Sequence, residues 1–94
     1  MTPPLTARDR SRLKARAHPL EPAVHVGQSG VTDALVAEVD RALTAHELIK
    51  VKIMAERDAR LEVAETIAAR TDAAIVQGVG KIVVLWRPRP QQDE

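Results

Sequence analysis

Ala23-Val24-His25-Val26-Gly27-Gln28-Ser29-Gly30-Val31-Thr32-Asp33 opens a stretch that continues to Glu47-Leu48-Ile49-Lys50-Val51-Lys52-Ile53-Met54, and its reading decides the fold. The run 23–26 is short and rich in valine, which predicts a strand. Gly27 and Gly30 let the chain turn sharply and let another backbone come close. Thr32 has the chemistry of an N-cap, and Leu35, Val36, Val39 and Leu43 recur on one helical face, which predicts a helix over 33–46. Residues 48–54 then alternate with period two. Ile49, Val51 and Ile53 point one way and Lys50 and Lys52 the other, which predicts a half-buried strand with a cationic outer face. Strand, tight turn, capped helix, strand is the signature of an α/β domain.

On the N-terminal side, residues 1–4 are expected to be disordered. Thr6 and Asp9 fit a capping box with Asp in place of the usual Glu. The segment 7–17 should be helix and should stop at His18-Pro19, because the residue before proline avoids the α region. Its apolar stripe is thin: Leu5, Leu13 and Ala17. Arg8, Arg12 and Arg16 stack at i, i+4, i+8 on one flank, and Arg10 and Lys14 stack on the other. Such a helix is either a solvated surface element tied down by Leu13 or a phosphate-facing one.

On the C-terminal side a third helix is expected over 58–70. Leu61, Val63, Ala64, Ile67 and Ala68 should face the core, and Glu62 and Glu65 an outer face that would repel phosphate. A strand over 74–77, a turn over 78–81 and a wholly apolar, central strand over 82–86 complete the pattern. Arg87-Pro88-Arg89-Pro90 ends regular structure, leaving 91–94 as a disordered tail. The expected organisation is α-β-α-β-α-β-β, one domain over 5–90, with no repeat and no linker.

Composition narrows the function. The 94 residues can close one core and not two. A 45% hydrophobic and 29% charged content is ordinary for a folded chain. With no cysteine, disulfides, iron–sulfur clusters, thiolate nucleophiles and cysteine zinc sites are excluded. The longest apolar run is five residues, Ile82 to Trp86, too short to span a membrane, and the arginine-rich start is not expected to be a secretory signal. A reducing cytoplasm is the expected compartment.

The net charge of +1 conceals segregation. Arg8, Arg10, Arg12, Lys14 and Arg16 crowd one end, Lys81, Arg87 and Arg89 the other, with Asp33, Glu38, Asp40 and Glu47 between them, so a basic face is still available. Aromatics are 1% of the chain, which excludes stacking platforms of the RRM and OB type.

Catalytic constellations are thin. Gly27-x-x-Gly30 lacks the lysine and serine or threonine of a Walker A loop and the third glycine of a dinucleotide fingerprint. His18, His25 and His46 lie in different elements with no metal-ligand spacing. His18 and His46 read as helix-end residues. His25 falls on the face of the strand lysines. Glu38, Asp40 and Glu47 read as solvated helix surface, and Trp86 as partly buried core or rim. No cofactor, metal or small-molecule substrate is expected.

His46-Glu47-Leu48-Ile49-Lys50-Val51-Lys52, Gly27-x-x-Gly30-x-Thr32, Ala17-His18-Pro19-Leu20-x-Pro22, Gly80-Lys81 and Arg87-Pro88, in that fold order, resemble the YhbY-like family, the stand-alone bacterial CRM (chloroplast RNA splicing and ribosome maturation) domain. The resemblance covers about residues 5–88. It implies a compact α/β domain whose four-stranded mixed sheet packs with helices, similar to the C-terminal domain of translation initiation factor three. It also implies RNA as partner, with bacterial members linked to precursors of the large ribosomal subunit and plant relatives to group II intron splicing. The family's Gly-x-x-Gly loop is held to meet the RNA backbone, as in KH domains. The sequence departs at Gln28, where many relatives carry Lys. That moves the charge burden to neighbours, although Gln28 and Ser29 can still bond phosphate or sugar.

These readings give one leading expectation. It is a monomeric, non-catalytic RNA-binding protein acting on large-subunit ribosomal RNA through Arg8, Arg12, Lys14, Arg16, Gly27, Gln28, Ser29, Gly30, Lys50 and Lys52. The alternative is a protein-interaction adaptor whose basic helix docks an acidic partner.

Overall fold

The computed structural model describes residues 4–88. The expectations for 1–3 and for 89–94, including Arg89 and the tail, lie outside the described residues.

Helix α1 (Ala7–Ala17) starts on the capping box. The Asp9 N–H donates to the Thr6 hydroxyl at 3.0 Å, and the Thr6 N–H donates to Asp9 Oδ2 at 3.3 Å. Hydrogen bonding to the carboxylate from the Thr6 side chain first, and from the Thr6 N–H second, holds the Asp9 carboxyl below its usual range. The helix ends at Ala17, but not because His18 avoids the α region. His18 has φ −49 and ψ −47, and its N–H still reaches Lys14 O. The stop comes one residue later: Pro19 has no N–H to offer, and the Leu20 N–H folds back on Ala17 O at 2.9 Å.

Strand β1 (Pro22–Val26) leads into α2 (Asp33–His46), whose cap is the Thr32 hydroxyl accepting from the Leu35 N–H at 3.1 Å. Strand β2 (Leu48–Ile53) follows across a single residue, Glu47, held at φ 64. Helix α3 (Arg57–Thr71) and the hairpin β3 (Ala74–Val79) and β4 (Ile82–Trp86) complete the chain.

The sheet order is β1-β2-β4-β3, with β1 parallel to β2 and the other pairs antiparallel. The parallel pair requires a crossover, which α2 supplies. Strand β4, the apolar one, is central as its composition predicts. Helices cover both faces. Val24, Val26, Ile49, Val51, Ile53 and Leu85 pack against Leu35, Val39 and Leu43 of α2 and Ala64 and Ile67 of α3. On the other face Leu13 and Ala17 of α1 close over Leu48, Val76 and Val84, with Leu5 and Trp86 at the margin.

Three local expectations change. Leu61 is 64% exposed rather than core, because the groove it lines has Gly78 and Gly80 on its far wall and they bring no side chain to cover it. Strand β3 runs to Val79, so the turn is only Gly80-Lys81, with Val79 paired to Ile82 and Gly80 at φ +57. Arg87 does not join a basic patch. Its side chain is 18% exposed, and its guanidinium donates to Asp40 Oδ1 (2.6 Å), Asp40 O (3.1 Å), Thr44 Oγ1 (2.9 Å) and Thr71 O (2.8 Å). One side chain thereby ties the exit of β4 to α2 and to the end of α3. Among the described residues, no helix is long and apolar enough to cross a membrane.

Candidate nucleic-acid interface

The loop 27–30 follows directly from β1. It is closed by the Gly30 N–H donating to Gly27 O at 3.1 Å, which leaves Gln28 and Ser29 exposed at its tip. Gly30 has φ +71, so a side chain there is strained. Gly27 has no such constraint, and a Cβ on either glycine would meet nothing within 4 Å. The protein's own packing therefore gives no reason for glycine at position 27, and the loop presents bare, approachable backbone to solvent.

Two hydrogen bonds bring the neighbours to this loop. The Met54 N–H donates to Val26 O at 3.1 Å, and the Ile53 N–H donates to Lys81 O at 2.7 Å. The end of β2 thus lies between the loop and the β3–β4 turn. His25 is registered beside Lys52, and Lys52 beside Ile82, all on the face opposite the α2–α3 core. The loop, His25, Lys52 and Lys81 consequently share one end of the sheet. Lys81 is not among the site residues that the sequence predicts. Its sequence signal was the Gly80-Lys81 pair, but its approach to the loop depends on a pairing across β2 that local sequence does not carry.

The other predicted residues divide. Lys50 lies on the Lys52 face as the alternation predicts, but it is half-buried, and its ammonium donates to His18 O (3.2 Å) and Leu20 O (2.8 Å). Lys14 faces Lys50 across a groove beneath α1 that also contains His18 and Gln77. Arg12 and Arg16 lie on the other side of α1, around a slot with Leu5, Asp9, Glu47 and Trp86. Arg12 also pairs with Asp9 at 3.2 Å. Arg8 is exposed on that same helical flank. Arg10 turns inward, and its Nη1 donates to Ile75 O (2.8 Å) and Val76 O (2.7 Å) at the bulge of β3. The basic helix therefore has two cationic flanks of different character. Lys14 faces the lysine side of the sheet, and Arg8, Arg12 and Arg16 lie away from it beside carboxylates. The described residues contain no cluster of three or more metal-ligating side chains.

The family model described as the CRS1 / YhbY (CRM) domain matches residues 5–87. The chain belongs to that family. A Haemophilus influenzae protein named "RNA-binding protein" is 42% identical to this CRM domain over 85 residues, covering 89% of this chain and 86% of that one. A Pseudomonas aeruginosa protein named "Probable RNA-binding protein PA4753" is 36% identical over 91 residues, covering 96% and 88%. The solution structure of the Staphylococcus aureus protein SAV1595 matches the CRM domain described here with a TM-score of 0.82 at 28% identity, over 96% of this chain and 95% of that one. The similarity extends over essentially the whole chain, so the loop, the hairpin and α1 all fall within the shared domain.

Proposed function

We infer that this CRM domain is a cytoplasmic, non-catalytic RNA-binding protein, and that its RNA is ribosomal RNA of large-subunit precursors. The observation that carries the RNA reading is the open 27–30 loop with His25, Lys52 and Lys81 gathered around it. A phosphate backbone needs close approach to N–H donors together with nearby cations, and this end of the sheet offers both. The family membership and the names of the relatives support the same reading.

The test is sedimentation of tagged protein from cell extract through a gradient, with and without ribonuclease. Co-migration with large-subunit precursors that ribonuclease abolishes is the expected result. Co-migration that survives ribonuclease would instead identify an adaptor docking a protein. Ribonuclease-sensitive association with other RNAs would keep RNA binding and remove the ribosomal assignment.

A further inference from the structure

Beneath α1 a groove of about 550 Å³ runs between the helix and the hairpin half of the sheet. Val79, Ile82 and Val84 line it from the sheet, Ala15 and Ala17 from α1, and Lys14, His18 and Lys50 supply its basic groups. Among the described residues, no carboxylate lines it. Val79 is 60% exposed, an apolar surface on an edge strand that the fold leaves uncovered. At the hairpin end, Ile82 is registered with Lys52, whose neighbour across β1 is His25, two residues before the 27–30 loop. The groove and the loop are thus joined through Lys52 and His25.

An apolar floor inside a positive rim matches a ligand that is itself flat, weakly polar and strung on an anionic chain. We propose that the groove receives an unpaired base of single-stranded RNA. The phosphates track from the 27–30 loop past Lys52 to Lys14, and the base packs on Val79 and Ile82 within reach of the Gln77 amide. The aliphatic floor supplies the apolar contact that other single-strand binders take from the rings of Phe, Tyr and Trp, none of which lines this groove among the described residues. A paired duplex keeps its bases stacked inside and offers the groove only phosphate. The proposal rests on the RNA-binding reading and adds which form of RNA is recognised and where its base goes.

The test is fluorescence anisotropy of the full chain with a short labelled single-stranded RNA, the same strand carrying abasic residues, and the duplex made from it. The intact single strand should bind about 5- to 30-fold more tightly than the abasic strand. Val79→Gln removes floor without adding charge at a mostly exposed position. It should erase most of that difference and leave duplex binding within about twofold, whereas Leu61→Gln on the opposite face should change nothing. Equal affinity for intact and abasic strands, or an unaltered preference in Val79→Gln, would overturn the groove assignment while leaving RNA binding in place. No binding to any of the three RNAs would overturn the RNA reading itself. Saturable binding to phosphatidylserine vesicles or to a polyglutamate peptide that displaces the single strand and is lost in Val79→Gln would give the groove a different occupant and also overturn the proposal.

Discussion

The ammonium of Lys50 lies 2.8 Å from the carbonyl oxygen of Leu20, pinning the α1–β1 connection to the middle of the sheet. Among the described residues Lys52, two positions on, makes no such tie, and it points along the same face. The two lysines of one alternating strand therefore have different work. Lys50→Ala should lower unfolding free energy by about 1 kcal/mol, the value of a partly solvated charged hydrogen bond. Lys52→Ala should leave stability within about 0.5 kcal/mol. Both should weaken RNA binding. Urea unfolding and anisotropy on each single variant separate the two roles, and equal stability loss in both would contradict the assignment.

Arg10 and Arg87 belong to the scaffold although each lies in a basic run. Arg10 holds α1 to two carbonyls of edge strand β3, and Arg87 bonds four acceptors on α2 and α3. Replacing Arg87 by Lys keeps the charge but not the planar fork, and should cost about 1–3 kcal/mol with Asp40 half in water. Arg10→Met should cost about 1–2 kcal/mol. Arg8→Ala, at an exposed position, should be nearly silent in the same unfolding experiment.

Those arginines mark what local sequence could and could not disclose. The helices and the inward Ile49-Val51-Ile53 set follow from periodicity, and the central β4 from its unbroken apolar run, all properties of neighbours along the chain. The capping box at Thr6 and Asp9 is legible for the same reason. Whether a cation faces solvent or a carbonyl is decided by partners far away: Arg10 by residues 65 and 66 positions on, and Lys50 by residues 32 and 30 positions back. A charge run read at i, i+4 spacing cannot tell these cases apart. Leu61 shows the converse, an apolar residue in phase with the core stripe whose would-be cover is glycine.

The two loop glycines should respond differently. Gly30→Ala places a Cβ at φ +71 and should cost about 1 kcal/mol of stability. Gly27→Ala meets open space at ordinary φ and should fold as well as the parent. A loss of RNA affinity in folded Gly27→Ala, and about 1–3 kcal/mol in Ser29→Glu through repulsion and lost approach, would place the loop against the RNA backbone. Gln28→Ala should cost little, since it removes no charge. Folded Ser29→Glu with unchanged affinity would remove the loop from the site.

Asp9 gives α1 an acid-sensitive start. Its carboxyl is held below the usual range by Thr6 and, more weakly, by Arg12. A depressed folded-state pKa stabilises above the unfolded value of about 3.9 and loses that contribution as pH falls through the folded value. In parent protein this increment should be complete at neutral pH and fade below about pH 4. Asp9→Asn should flatten that segment of the stability–pH curve, measured by thermal unfolding between neutral and strongly acidic buffers. Coincident curves for parent and variant would show that the capping carboxylate adds nothing.

Salt dependence tests how much of the basic inventory meets RNA. The sequence counts five cations on α1 alone, which with Lys50 and Lys52 would give a large counterion release. The structure removes Arg10 to the β3 bulge and turns Arg8, Arg12 and Arg16 toward the flank that carries Asp9 and Glu47. Lys14, Lys50, Lys52 and Lys81 remain on the side of the loop and the groove. About four phosphate contacts predict a slope of log affinity against log salt of about −3 for a single strand and about −3.5 for a duplex. Lys81→Ala and Lys52→Ala should each make it shallower by about 1, while Arg16→Ala should leave it nearly unchanged. Anisotropy titrations across a tenfold range of potassium chloride measure this directly. A slope that falls on removing Arg16 but not Lys81 would move the RNA track to the tryptophan side of α1, and a slope near zero would mean that phosphate is not what this surface binds.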